Sequence, residues 1–381
     1  MSLPRTLDAD AVTLLRSLSG PHGIHASLST SANYRSIFAR DAVMAGVAGL
    51  LLDDPEISAG LVRTLEKLRT LQGPEGQIAS NFAMRDDGSA HVSFGTLAPR
   101  IDSATWYLIG IALGARANAL DPENFRDSVA SVVRLLDALE YNGRHLIYIP
   151  PGGNWADEYV YEGYILYDQV LRAWALRLLA PIYDRPSWIE KSERIGETIA
   201  ARYWPDDSVD RWHPVASLSP VGVRDRFDLA ACCLLALAGV APKAGSASLA
   251  GIAEQFLSRG ALPPAFHPVI DPMHSDWPAL QRYHLHAFRN LPYEYHNGGI
   301  WPIWLGWLAL AFAQSGRARH LELLREQVNA HLGRLAHFDF EEFLHGASGA
   351  PGGTPRMAYT ATGLVFLRLA GCERQARLLA L

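Results

Sequence analysis

The sequence predicts an all-α fold, an (α/α)6 toroid of the six-hairpin glycosidase-like type, built by residues 1–381 as one domain. Two observations carry this. Helix-like segments of two types alternate along the chain, and the apolar type recurs at intervals of about sixty residues, beginning near 40, 102, 162, 225, 299 and 356. A helix apolar on every side belongs in a core, whereas one with a charged face meets solvent.

In order, the inner helices read RDAVMAGVAGLLL from Arg40, DSATWYLIGIALGA from Asp102 and EGYILYDQVLRAWALRLLA from Glu162. The next three are DRFDLAACCLLALAG from Asp225, GIWPIWLGWLALAFAQ from Gly299 and RMAYTATGLVFLRLA from Arg356. Each precedes an amphipathic outer helix: ISAGLVRTLEKLRTL, PENFRDSVASVVRLLDAL, PSWIEKSERIGETIAARY, ASLAGIAEQFLSR, ARHLELLREQVNAHLGRL and ERQARLLAL. An open stack of hairpins needs polar capping repeats at its ends. Neither terminal hairpin is of that kind, so a closed ring is expected.

Composition fits a globular chain with a large core, at 49% hydrophobic and 19% charged residues. Lys and Arg total 34 against 39 Asp and Glu, which leaves no excess positive charge for a nucleic-acid partner. Among only three cysteines, Cys232 and Cys233 are adjacent in an apolar run, which suits buried thiols rather than a disulfide framework. The N-terminal MSLPRTLDADAVTLLRSL interrupts its apolar residues with charges, unlike a secretory signal. The longest apolar run, Ile300 to Ala313, has 14 residues, short of the roughly 20 that cross a bilayer. A cytoplasmic protein without a membrane partner is expected.

Function concentrates in loops that a rigid scaffold positions. The segments before the inner helices are the unusual part of the chain: NYRSIFARD, VSFGTLAPRID, YIPPGGNWADEYVYEG, SLSPVGVRDRFD, YHLHAFRNLPYEYHNGG and FDFEEFLHGASGAPGGTPR. If the inner helices run parallel, all six loops share one end and form a polar, aromatic basin. Helix N-termini aimed at it add free N–H donors, which suits a hydroxyl-rich ligand, a small saccharide.

Within these loops Asp102 has two readings, a catalytic carboxyl or an N-cap for its helix, and Asp41 and Asp225 share the capping alternative. NWADEY places Asp157 and Glu158 between Trp155 and Tyr159 after a Gly pair, and YHNGGIWP sets His296 and Asn297 before Trp301. Glu341 and Glu342 lie between Phe340 and Phe343, where apolar surroundings raise a carboxyl's pKa. His284 and His286 form an H-x-H near His267 and His274, but no Cys pair or H-E-x-x-H accompanies them, so no metal and no cofactor is expected. Phosphate loops and G-x-S-x-G elbows are likewise missing. Paired carboxylates facing a hydroxyl-binding basin remain, and glycoside hydrolysis requires such a pair.

FARD, LAPRIDSATWYLIG, EGYILYDQ, RFDLAACCLLAL and YHNGGIWPIWLGW, in this order, resemble the neutral/alkaline invertases, (α/α)6-barrel glycoside hydrolases that split sucrose with inversion. The resemblance implies a general acid at Asp102 and a base at Glu342. It implies that Arg40 and Asp41, with His296 and Asn297, hold sugar hydroxyls in the innermost subsite. Arg100, Trp155, Asp157, Glu158, Tyr159, Gln169 and Trp301 complete the expected substrate-binding set. NWADEY departs from the invertase form and is similar to the W-x-D segment of glycogen-debranching-type amylo-α-1,6-glucosidases. In other branches of that clan this aspartate is the acid, so Asp157 is the alternative to Asp102.

The expected reaction is single-displacement hydrolysis of a small α-glucoside such as sucrose, with carboxyl groups roughly 6.5–9.5 Å apart. Two alternatives stay open: a sugar epimerase or isomerase using His284, His286 and His296, and a non-catalytic carbohydrate-binding protein. The long loop from Ala261 to Tyr295 is the candidate contact for a homo-oligomer.

Overall fold

Among the residues that the computed structural model describes, 5–30, 33–96, 98–140, 143–204, 211–282, 284 and 287–379, the chain is mostly helical. The first half contains α1 (Arg5–Leu18), α2 (Ala39–Leu52), α3 (Pro55–Thr70), α4 (Asp102–Arg116), α5 (Arg126–Ala138), α6 (Leu166–Tyr183) and α7 (Pro186–Arg202). The second contains α8 (Leu229–Leu237), α9 (Pro242–Gln255), the single turn α10 (Trp277–Leu280), α11 (Pro302–Gln314), α12 (Ala318–Leu332), α13 (Ala358–Leu369) and α14 (Glu373–Leu379).

The six apolar segments form an inner ring. Helix α2 packs on α4, α4 on α6, α6 on α8, α8 on α11 and α11 on α13, and α13 returns to α2, which closes the circle. Each is buried along most of its length, and in α4 every residue from Asp102 to Gly114 is buried. Outside, α3 covers α2, α5 covers α4, α7 covers α6, α9 covers α8 and α12 covers α11. The outer partner of α13 is α1, not the C-terminal segment expected there; α14 instead lies against α2 and α4. Ala11, Leu14, Leu15 and Leu18 give α1 a buried stripe at helical spacing, whereas seven residues make α14 too short to cover a neighbour.

Three tryptophans from α4, α6 and α11 meet inside the ring: Trp106 lies 6.4 Å from Trp174 and 5.6 Å from Trp307, and Trp174 lies 6.1 Å from Trp307. All three are fully buried. Trp307→Ala is expected to remove about 3–5 kcal/mol of stability, as read from the midpoint of denaturant unfolding.

The fold is not purely helical. Short antiparallel pairs stitch the loops together: Ile37–Phe38 with Asn81–Met84, Tyr164–Ile165 with Ser217–Ser219, Phe227–Asp228 with Phe266–His267, and Phe343–Leu344 with Pro351–Gly352. Isolated bridges add Ile300 to Leu344 and Ser27 to Met357. Runs of two to four residues carry too little periodicity to be read from sequence. Helix starts also move: α8 is capped by Asp228, which accepts from Ala231 N at 3.0 Å, while Asp225 lies outside the helix and pairs with Arg211. No helix among the described residues is long and apolar enough to cross a membrane.

Candidate active site

A cavity of about 170 Å³ opens where the N-terminal ends of α2, α4, α6, α11 and α13 converge. Five of the six unusual loops reach it: the approach to α2 brings Tyr34, Arg40 and Asp41, that to α4 brings Arg100, and that to α6 brings Trp155, Asp157 and Glu158. The approach to α11 brings Arg289, Tyr295 and Trp301, and that to α13 brings Glu342 and Tyr359. The sixth, before α8, does not line it: Arg224 and Arg226 are held by Asp276, and Asp228 caps the helix.

Glu342 stands just before the Phe343–Leu344 strand. Gly353, across the hairpin, has φ +81, and a Cβ there would fall 2.6 Å from Glu342 Cβ and Oε2. Only glycine suits both the backbone and the space. Tyr34 donates its hydroxyl to Glu342 Oε1 at 3.0 Å, and Thr354 N–H donates to Oε2 at 3.4 Å. Burial pushes the Glu342 carboxyl up to about 7, against the pull of Arg289 and of these donors, with the charge of Asp157 adding to the rise. Its neighbour Glu341 is half-buried and accepts from Asp339 N.

Asp157 is ion-paired with Arg100, whose guanidinium also donates to the carbonyls of Gly152 and Asn154. Burial raises the Asp157 carboxyl, but Arg100, His296, Arg40 and Arg289 together hold it below the usual aspartate value. Asn154 Nδ2 donates to the buried Asp168 at 2.9 Å, which anchors this loop to α6. Arg289 joins the loops across the cavity: it pairs with Glu158 at 3.1 Å, donates to Tyr34 Oη at 3.3 Å and lies 3.9 Å from the centre of the Tyr295 ring.

Asp102 is placed differently from the expectation. It is fully buried in the first turn of α4 and does not line the cavity. Neither does its carboxylate cap the helix: Oδ2 accepts from Arg40 Nη1 at 2.9 Å and Tyr167 Oη at 3.4 Å, and Oδ1 has no partner. Arg40 itself faces the cavity with Asp41, whose carboxyl burial pushes up to about 6 against the pull of Arg40. Removing one member of a buried pair strands the other charge, so Asp102→Ala is expected to cost about 3–5 kcal/mol of stability, measurable as a lowered unfolding midpoint.

Four other expected contacts also lie behind the cavity wall. Asn297 spends its amide on Ile270 N, Ile270 O and Asn290 O, and Gln169 spends its own on Ile147 and Ile165. Tyr159 stacks on Phe266 at 4.2 Å. His296 is fully buried between Trp155, Tyr295 and Trp301, and burial pushes its ring down to about 3. None of the four lines the cavity in this structure. Tyr34, Arg289, Tyr295 and Tyr359 reach the cavity without having been singled out; each lies in, or close behind, one of the unusual segments. His284 packs against Phe288, and His286 lies outside the described residues. Among the described residues no group of three His, Cys, Asp or Glu side chains is placed to hold a metal.

Comparison with known proteins adds two findings. The alkaline and neutral invertase profile matches residues 268–369, a stretch that holds Arg289, Trp301 and Glu342 but neither Asp102 nor Asp157. Solved structures match almost end to end: a GH63 mannosylglycerate hydrolase from Thermus thermophilus at TM-score 0.67 and 16% identity, covering 94% of this chain and 99% of that one. A further glycosidase matches at TM-score 0.66 and 14% identity over 96% of this chain and 95% of that one. A rhamnosidase from Klebsiella oxytoca with rhamnose bound matches at TM-score 0.65 and 13% identity, over 96% of this chain but 63% of that one. No curated protein matches the sequence. The chain therefore shares its fold with solved glycosidases and, over residues 268–369, resembles the alkaline and neutral invertases.

Proposed function

We propose that the protein is an inverting glycoside hydrolase on the (α/α)6 toroid that acts on a small α-glucoside, with Asp157 as general acid and Glu342 as general base. The observation that carries this reading is the pair itself: two carboxyl groups from different loops line one cavity, near enough that Glu342 senses the charge of Asp157. Asp157 replaces Asp102 in the acid role because a fully buried carboxylate engaged with Arg40 and Tyr167 has no path to a glycosidic oxygen.

In this mechanism Asp157 gives its proton to the departing oxygen as the bond to the anomeric carbon breaks. Glu342 takes a proton from the water that attacks the opposite face. A base is most effective when its pKa lies near the working pH, and about 7 suits Glu342. Arg40 Nε and Asp41 Oδ1 pair with each other at 3.4 Å on the cavity wall, where a sugar hydroxyl can donate to the carboxylate and accept from the guanidinium, and Trp155 and Trp301 line the same wall. A cavity of about 170 Å³ is small beside the roughly 300–1,000 Å³ of drug-sized pockets, so the substrate is compact. The mannosylglycerate in the name of one structural neighbour is of that size class, as is sucrose.

One observation favours exchanged roles: the surroundings of Asp157 lower its carboxyl, chiefly through Arg100, whereas burial raises that of Glu342. Substrates that differ in leaving group separate the two assignments. An epimerase would need histidines that titrate near neutrality, and a ring pushed down to about 3 makes His296 unsuited. The test is incubation with sucrose, trehalose, maltose, isomaltose, glucosylglycerol and glucosylglycerate, followed by chromatography. Released glucose supports hydrolysis, an isomer of unchanged mass supports an epimerase, and heat stabilisation by sugar without turnover supports a binding protein.

A further inference from the structure

We propose that Arg100 is the receptor for a carboxylate on the leaving group, and that this carboxylate displaces Asp157 from the guanidinium so that the aspartate takes up the proton it later transfers. The inference rests on the reading of Asp157 as the acid.

Arg100 faces the cavity with a side chain only 14% exposed, and its charged partner is Asp157. Its remaining contacts are neutral carbonyls, those of Gly152 and Asn154. A protonated Asp157 would therefore leave a nearly buried guanidinium without a counter-charge, which is costly. The other cavity cations each have two carboxylate partners, Arg40 with Asp102 and Asp41 and Arg289 with Glu158 and Glu342, so neither depends on Asp157 for its counter-charge. The carboxylate must arrive with the ligand. A general acid sits beside the oxygen that departs, so a group paired with that acid lies on the leaving-group side. The substrate class is then a glycoside of a hydroxy acid.

The groups that act on Asp157 are Arg100, His296, Arg40 and Arg289, with Asp41, Glu342 and Tyr295 sensing its charge in turn. Arg100 is its direct partner, and exchanging one carboxylate for another there preserves the charge balance while Asp157 gains one proton from solvent. Hydrolysis then consumes that proton at the glycosidic oxygen, and Glu342 receives one from the attacking water.

Calorimetry with D-glycerate, the free leaving group of glucosylglycerate, tests this without turnover. It is run on Glu342→Gln protein, so that Glu342 cannot supply the signal, at pH 5.5 in two buffers of different ionisation enthalpy. Glycerate is expected to bind with uptake of about one proton, while glycerol binds at least about 100-fold more weakly. Adding Arg100→Gln abolishes glycerate binding, and adding Asp157→Asn abolishes the proton uptake. Binding no tighter than that of glycerol, binding that survives Arg100→Gln in a protein of normal melting temperature, or uptake that survives Asp157→Asn overturns the proposal. In wild-type protein, glucosylglycerate should exceed glucosylglycerol in kcat/KM by about 100-fold, a ratio that Arg100→Gln collapses. Equal turnover of both substrates overturns this inference and leaves the hydrolase standing, whereas glycerate binding with no glycoside turned over contradicts the hydrolase. Preference for a glucuronide would put the carboxylate on the sugar and overturn the placement.

Discussion

Asp157→Asn is expected to lower kcat/KM by about 10²–10⁴-fold on glucosides with poor leaving groups, and to leave glucosyl fluoride within about tenfold of wild type, because fluoride departs without a proton. The contrast isolates the acid. If the roles are exchanged, the same signature moves to Glu342. Asp102→Asn gives a third pattern: it slackens the hold on Arg40, raises KM and affects both substrates alike. Were Asp102 the acid, its variant would show the selective loss and Asp157→Asn would not.

The stability of Asp157→Asn follows from the ion pair. A folded-state pKa held below the usual aspartate value of 3.8 means a contribution that is present above 3.8 and lost as pH falls through the lower folded value. The variant should melt below wild type at pH 7, and the gap should close in strong acid.

Glu342→Gln is expected to abolish turnover of every substrate, glucosyl fluoride included, and yet to stabilise the protein in mild alkali. The carboxyl rises from 4.5 to about 7 on folding. A raised value contributes stability that is fully present below 4.5 and lost as pH rises through about 7. Above that range the wild-type protein carries a buried anion, and the neutral amide removes a penalty of up to about 3 kcal/mol. Unfolding midpoints at pH 5 and pH 9 check this: the variant's advantage grows with pH, and a constant difference would contradict the assignment. In wild type the same titration sets the acidic limb of kcat/KM near pH 7.

The inner ring was legible because an apolar helix about every sixty residues has few other homes. Helix α1 carries the same signal more weakly: Ala11, Leu14, Leu15 and Leu18 follow the helical period, but the segment lies before the first apolar helix and so outside the alternation that marks the other outer helices. The short strand pairs were not, since runs of two to four residues carry no period that a sequence can show. For the site, sequence pointed to the loops that line the cavity more reliably than to the side chains that do. Whether a first-turn acid such as Asp102 faces the basin or its neighbour depends on where Arg40 and Tyr167 arrive from adjacent helices. Tyr34 and Arg289 meet across 255 residues, and no spacing rule announces such a contact. His296 and Asn297 were visible as unusual, but nothing in their own segment shows that both are fully buried behind the cavity wall.

The central claim is that Asp157 and Glu342 hydrolyse a compact α-glucoside by one displacement. Proton NMR of the anomeric signals, followed from the first minutes of turnover of a cleaved member of the panel, tests it most directly. The account predicts β-glucose first, with α-glucose appearing only as mutarotation proceeds. Initial release of α-glucose would mean retention through a covalent intermediate and would contradict it.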